Sequence, residues 1–120
     1  MDNNIIYDKS YKFALRIVKL YRFLKNEHKE FVLSKQVLRS GTSVGALIRE
    51  SKFAQSDADF IHKLSIALKE ANETDYWIDL LYDSGYINSQ MFDSIKMDAN
   101  EIISILVSIV KSLKLRAQNS

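Results

Sequence analysis

The sequence predicts an all-α protein folded as an up-down-up-down antiparallel four-helix bundle. Proline is absent and only three glycines occur in 120 residues, so nothing interrupts long helices. In four segments the apolar residues recur at intervals of three and four, which is typical of helices with one buried face. With 47% hydrophobic and 27% charged residues at this length, we expect a single globular domain over residues 1–120.

The first predicted helix spans about Asp8 to Asn26, with Asp8 as its expected N-cap. Its expected buried face consists of the apolar residues Tyr11, Ala14, Leu15, Val18, Tyr21 and Leu24. A second stripe at the same spacing is basic and consists of Lys9, Lys12, Arg16 and Lys19. Such a stripe is usually a solvated face, and its alternative role is contact with phosphate groups.

The second predicted helix begins at Ser34, its expected N-cap, and runs to about Phe53. Gly41 and Gly45 lie in its middle, where each glycine costs about 1 kcal/mol relative to alanine. The small side chains around them predict close approach of a neighbouring helix. The segment does not match a phosphate-binding loop, because no strand precedes it and the Gly-Lys-Ser/Thr ending is missing.

The third predicted helix starts with a capping box, in which the Ser56 hydroxyl and the Asp59 carboxylate each accept a backbone N–H. Gly85 is placed to end this helix in the left-handed conformation. Trp77 is assigned to the core. The later half of the helix is acidic, which indicates either a solvated face or a partner for the basic stripe, and its acidic residues are Glu70, Glu73, Asp75, Asp79 and Asp83.

The fourth predicted helix is capped by Asn88 or Ser89 and reaches roughly Leu115, followed by a polar, frayed tail. Ile105 and Val107 widen its apolar arc to about 200°, roughly twice the stripe that packing on one side needs. Because only one side of a bundle helix faces the core, this surplus predicts a subunit interface at these two residues.

Several kinds of chemistry find no support in the sequence. The chain has no cysteine, and its two histidines, His28 and His62, belong to no metal-binding motif. We therefore assign no catalytic residue, no cofactor and no metal. No apolar run approaches the roughly 20 residues that a membrane span requires. The N-terminus lacks the features of a signal peptide, so a cytoplasmic protein is expected.

Basic residues on two helices make nucleic acid a candidate partner. Lys35, Arg39 and Arg49 share one face of the second helix and add to the basic stripe of the first. The net charge is only +2, but self-association multiplies the positive field of each chain. The resulting hypothesis is a self-associating protein that binds structured RNA or a nucleoprotein partner. The alternative is a protein–protein interaction module without nucleic-acid binding.

A set of spaced residues resembles the bacterial family of 23S rRNA-intervening sequence proteins, and the match covers nearly the whole chain. The matching residues are Leu38 to Ala46, Ala54 to Ser56, Asp59 to Ile61, Ile66 to Ala71, Glu73, Thr74, Trp77 and Gly85 to Ile87. Leu47 and Ser51 depart from the family pattern, in which many members have asparagine and glycine. The resemblance implies a non-enzymatic four-helix bundle, some relatives of which are encoded inside ribosomal RNA genes.

This family is also similar to the accessory variability protein of diversity-generating retroelements, a basic pentameric barrel that binds nucleic acid. That similarity implies a homo-oligomer, such as a pentamer.

Overall fold

A computed structural model describes residues 4–119 of the chain, which form four helices and no strand. The helices are α1 (Asn4–His28), α2 (Leu33–Ser51), α3 (Asp57–Asp83) and α4 (Ser89–Asn119). Short connections make consecutive helices antiparallel, and α4 returns to pack on α1. The predicted up-down-up-down bundle is therefore confirmed. The α1–α4 seam has the least contact of the four helix pairs.

Helix α1 begins before the predicted start, and of its expected buried residues Leu24 alone is fully buried. Asp8 is not its N-cap, because it lies inside the helix with a carboxylate oxygen 3.0 Å from Lys12 Nζ. Tyr11 and Leu15 are 53% and 48% exposed, so their assignment to the core is wrong. The face that packs into the bundle consists of Ile6, Ser10, Phe13, Ile17, Leu20 and Leu24.

Helix α2 is capped by Glu30 and not, as predicted, by Ser34. Lys29 has a positive φ of 52°, and the Glu30 carboxylate then accepts the backbone N–H groups of Val32, Leu33 and Ser34 at 2.7 to 3.2 Å. Burial opposes ionisation of Glu30, but these backbone donors outweigh it and hold its pKa below the usual value. The Ser34 hydroxyl donates to the Glu30 carbonyl at 2.8 Å.

The small residues of α2 lie where α1 comes closest. A Cβ atom added at Gly41 would be 2.7 Å from Ile17 Cγ1, and one at Gly45 would be 3.2 Å from the carbonyl oxygen of Ser10. A side chain at either position would therefore require the Ile17 side chain or the backbone near Ser10 to shift.

The ends of α3 and the start of α4 follow their local signals. The Ser56 hydroxyl accepts the N–H of Asp59 at 3.0 Å, which confirms the cap. The Asp59 carboxylate accepts from Gln55 at 3.1 Å, one residue before the position a capping box predicts. Gly85 ends α3 with φ +84°. Asn88 Oδ1 accepts the N–H of Met91 at 2.8 Å, so Asn88 caps α4.

Helix α4 continues to Asn119, four residues beyond its predicted end at Leu115. The predicted frayed tail is therefore helical from 114 to 119, while Ser120 lies outside the described residues. No helix within residues 4–119 has the length and hydropathy that a membrane crossing requires.

Candidate functional site

The four residues of the basic stripe predicted on α1 do not share one environment. Lys9 and Arg16 face α4, where Lys9 Nζ lies 2.7 Å from a Glu101 carboxylate oxygen and Arg16 Nη1 lies 2.6 Å from Asp98 Oδ2. Arg16 also donates to the carbonyl and hydroxyl oxygens of Ser94 at 3.1 and 2.8 Å. The hydrogen bond and charge of Glu101 raise the pKa of Lys9. These two cations bridge the α1–α4 seam.

The other two residues of the stripe differ from each other. Lys12 pairs with Asp8 within α1. Lys19 is exposed, and in the described part of the chain no carboxylate lies within ion-pair distance of it. Three of the four cations therefore already have an acidic partner, and a phosphate group would have to compete with that partner for each of them.

The three cations predicted on one face of α2 likewise differ in whether they have an acidic partner. Arg39 reaches α3, where it binds the carboxylates of Glu70, at 3.1 Å, and Glu73. Lys35 and Arg49 are exposed, and neither has a carboxylate within ion-pair distance among residues 4–119. Of the seven predicted nucleic-acid contacts, Lys19, Lys35 and Arg49 are thus the ones without an acidic partner in the described structure.

Most of the acidic side chains of α3 point to other helices of the same bundle. Glu70 and Glu73 bind Arg39 of α2, and Asp75 and Asp79 each place an oxygen 2.6 Å from Lys96 Nζ of α4. Burial opposes the charge on Lys96, but the two carboxylates outweigh it and raise its pKa. These residues link α3 to α2 and α4.

An open groove runs between α1 and α2 on the outer side of the bundle. We call it the α1–α2 groove; it has a volume of about 570 Å³ and is lined by Tyr7, Tyr11, Ala14, Thr42, Gly45, Ala46, Arg49, Glu50, Lys52 and Phe53. Its middle is formed by small side chains, so the space between the helices stays unfilled. Among the lining residues, Tyr11 and Phe53 are 53% and 80% exposed.

Cations lie over the tyrosine rings of this side of α1. Lys52 Nζ is 4.1 Å from the centroid of the Tyr7 ring, and Arg49 Cζ is 5.5 Å from that of Tyr11. Further along α1, Lys25 Nζ is 5.5 Å from the centroid of Tyr21. Such geometry gives a modest attraction and keeps each charge beside an aromatic face.

Sequence reasoning identified Arg49 but missed Tyr7, Lys52 and Phe53, and it placed Tyr11 in the core. The available signal was the spacing of Tyr7, Tyr11 and Ala14 along a second face of α1. Because a buried tyrosine hydroxyl needs a hydrogen-bond partner, a face with two tyrosines is less suited to full burial than a purely apolar one.

A second exposed apolar area lies between α3 and α4. We call it the α4 patch; Val107 and Leu115, 45% and 51% exposed, border a depression of about 360 Å³ next to Leu68. Lys111 and Lys114 flank it. Ile105, the other predicted interface residue, is half-buried and packs against the core.

No group of three or more His, Asp or Glu side chains within residues 4–119 is arranged to hold a metal ion. Trp77 is half-buried against the core and donates its indole N–H to Glu73 at 3.2 Å. Its neighbour Tyr76 is 58% exposed.

Comparison with known proteins identifies the family. The sequence profile described as 23S rRNA-intervening sequence protein matches residues 2–108. A crystal structure of a protein of unknown function from the S23 ribosomal protein family of Bacteroides thetaiotaomicron shares 60% identity with this chain. It covers 92% of this chain and 99% of its own length, with a TM-score of 0.90. A search of curated proteins gives no match. The chain therefore belongs to the 23S rRNA-intervening sequence protein family.

Proposed function

We propose that this chain is a non-enzymatic interaction protein that binds RNA or a nucleoprotein particle through the α1–α2 side of the bundle. The observation that carries the proposal is the set of cations on this side that have no carboxylate partner in the described structure. They are Lys25, Lys35, Arg49 and Lys52. Three of them lie over tyrosine rings of α1, and of these rings that of Tyr11 is exposed. The name of the family refers to ribosomal RNA, and its solved relative is assigned to a ribosomal protein family, which agrees with an RNA partner.

Such binding depends on salt because each neutralised phosphate releases counterions. For four contacts to a single strand, the affinity should fall roughly 50-fold between about 50 and 200 mM salt. Lys9, Arg16 and Arg39 contribute less than the sequence predicts, because carboxylates of α3 and α4 already neutralise them.

The test is a titration of fluorescein-labelled RNA followed by anisotropy at several salt concentrations. We expect Arg49→Glu and Lys35→Glu each to weaken binding, since each replaces an attraction by a repulsion. Lys69→Glu is the matched control, because Lys69 is an exposed cation on α3, away from this side. Absence of salt-sensitive binding by the unmodified protein, or an equal loss in Lys69→Glu, contradicts the proposal.

A second candidate function, self-association, is favoured by the α4 patch. Val107 and Leu115 leave apolar area exposed on a helix whose other side fills the core. We propose that copies of the chain associate through this patch to form a homo-oligomer, such as the pentamer that the resemblance implies. Burial of Val107 and Leu115 between subunits would remove this area from water.

Light scattering tests self-association directly. The expected mass is a multiple of 13.9 kDa, and Val107→Asp should lower it. Met97→Asp is the control, because Met97 is 70% exposed on the same helix but lies outside the α4 patch. A monomer mass for the unmodified protein at micromolar concentration contradicts self-association, while leaving the RNA proposal to its own test.

A further inference from the structure

The α1–α2 groove is lined by large side chains together with a row of small ones, which leave the space between the two helices unfilled. At Gly45 the two helices approach so closely that an added Cβ would lie 3.2 Å from the backbone of Ser10. Ala14, Thr42 and Ala46 continue this line with short side chains. Two aromatic residues of the lining, Tyr11 and Phe53, are exposed, so the groove offers apolar ring surface to solvent.

The charge of the groove is positive on the side of the aromatic rings. Arg49 and Lys52 lie over the rings of Tyr11 and Tyr7. Glu50 is the one acidic residue of the lining, and its carboxylate lies 3.9 Å from Lys63 Nζ of α3. An occupant with negative charge and flat apolar groups therefore complements the groove.

We infer that the α1–α2 groove binds unpaired nucleotides of a single-stranded polynucleotide, with bases against Tyr11 and Phe53 and phosphates against Arg49 and Lys52. This inference rests on the proposed function and assigns its binding site and its preferred form of nucleic acid. Stacking of bases on aromatic rings combined with cations along the backbone is the usual way in which proteins bind single strands.

The exposed rings of Tyr11 and Phe53 favour a single strand over a duplex. Stacked bases in a duplex have no free faces except at the ends. A strand with unstacked bases can place a base against each of these two rings, as proteins do with RNA loops and bulges.

A second copy of the chain is a poorer occupant. The exposed apolar area of α4 is flanked by Lys111 and Lys114, and docking it into the groove would bring these cations toward Arg49 and Lys52. Like charges across an interface oppose association. A polyanion has the opposite charge and suits the same groove.

The experiment compares one unstructured RNA oligonucleotide, the DNA of the same sequence, and the blunt duplex of that RNA, all at one salt concentration. We expect either single strand to bind more tightly than the duplex. Tyr11→Leu should weaken single-strand binding about tenfold, the effect of losing one stacked base. Tyr76→Leu is the matched control, because Tyr76 is similarly exposed but lies on α3. Circular dichroism checks that both variants fold.

Three results would overturn the inference, and they can be told apart. Salt-sensitive binding with equal affinity for duplex, or with no loss in Tyr11→Leu, rejects the groove and leaves the proposed function standing. Absence of binding to all three nucleic acids rejects both. A lower oligomer mass in Tyr11→Leu, measured by light scattering, identifies the groove as a subunit interface and rejects nucleotide binding there.

Discussion

Replacement of Gly41 by alanine should destabilise the bundle, although alanine has a higher helix propensity than glycine. The new Cβ atom would lie 2.7 and 2.9 Å from two carbon atoms of Ile17, whose side chain is fully buried. Overpacking of this kind costs about 1–3 kcal/mol. Alanine recovers about 1 kcal/mol of helix propensity. We therefore expect Gly41→Ala to lower the free energy of unfolding by roughly 1 kcal/mol.

The same substitution should have the opposite sign when Ile17 is also shortened. Ile17→Ala alone costs about 2–5 kcal/mol, because it leaves a cavity. It also removes the atoms that the Cβ at position 41 would meet. Gly41→Ala in the Ile17→Ala background should then raise the free energy of unfolding by up to about 1 kcal/mol. The coupling between the two sites is thus about 2 kcal/mol.

Urea denaturation followed by circular dichroism measures all four proteins, at one protein concentration because self-association would add to stability. Gly45→Ala is a further comparison, since its Cβ would meet the Ser10 carbonyl oxygen only at 3.2 Å. We expect its effect to lie within about 1 kcal/mol of zero. An equal effect of Gly41→Ala in both backgrounds would refute the steric account of the α1–α2 contact.

Two further predictions concern polar contacts that join segments of the chain. Glu30→Gln should lower the free energy of unfolding by about 1 kcal/mol at neutral pH, because it weakens the cap of α2. The pKa of Glu30 is lower in the folded chain, so its carboxylate stabilises the fold above its unfolded pKa of about 4.3 and loses that effect at lower pH. Urea midpoints should therefore decrease less on acidification in Glu30→Gln than in the unmodified protein, and parallel curves would contradict this. Arg16→Gln should lower the thermal midpoint of unfolding more than Lys12→Gln. The reason is that Arg16 bridges α1 to α4, whereas Lys12 pairs only within α1. Equal shifts of the midpoint would contradict a role of Arg16 in holding α1 against α4.

Local signals predicted the start and end of α3 and the start of α4, because a few neighbouring residues decide these ends. Ser56 and Gly85 act within three or four positions, a range that the sequence shows directly. The predicted cap of α2 was wrong because the capping residue lies four positions before Ser34 in the chain. Glu30 lies outside the helix, and its carboxylate reaches the N-terminus of α2 through a turn in which Lys29 has a positive φ. The preference for a serine cap at Ser34 gave no information about that turn.

The candidate site was less predictable because it depends on how helices are rotated against each other. The sequence of α1 shows that Lys9 and Arg16 share a face, but their acidic partners come from α4. Arg39 is likewise neutralised from α3. Spacing along one helix therefore located the cations and could not show which of them keep their charge available for a partner.

The largest error, the choice of the buried face of α1, leads to a direct test. This helix has two apolar stripes, and the one that packs into the core is interrupted by Ser10, which made the stripe with Tyr11 and Leu15 look more continuous. Phe13 is 2% exposed, so Phe13→Ala should cost about 3 kcal/mol or more. Leu15 is 48% exposed, and Leu15→Ala should change stability by less than about 0.5 kcal/mol. Similar losses in urea denaturation at low protein concentration would contradict this face assignment.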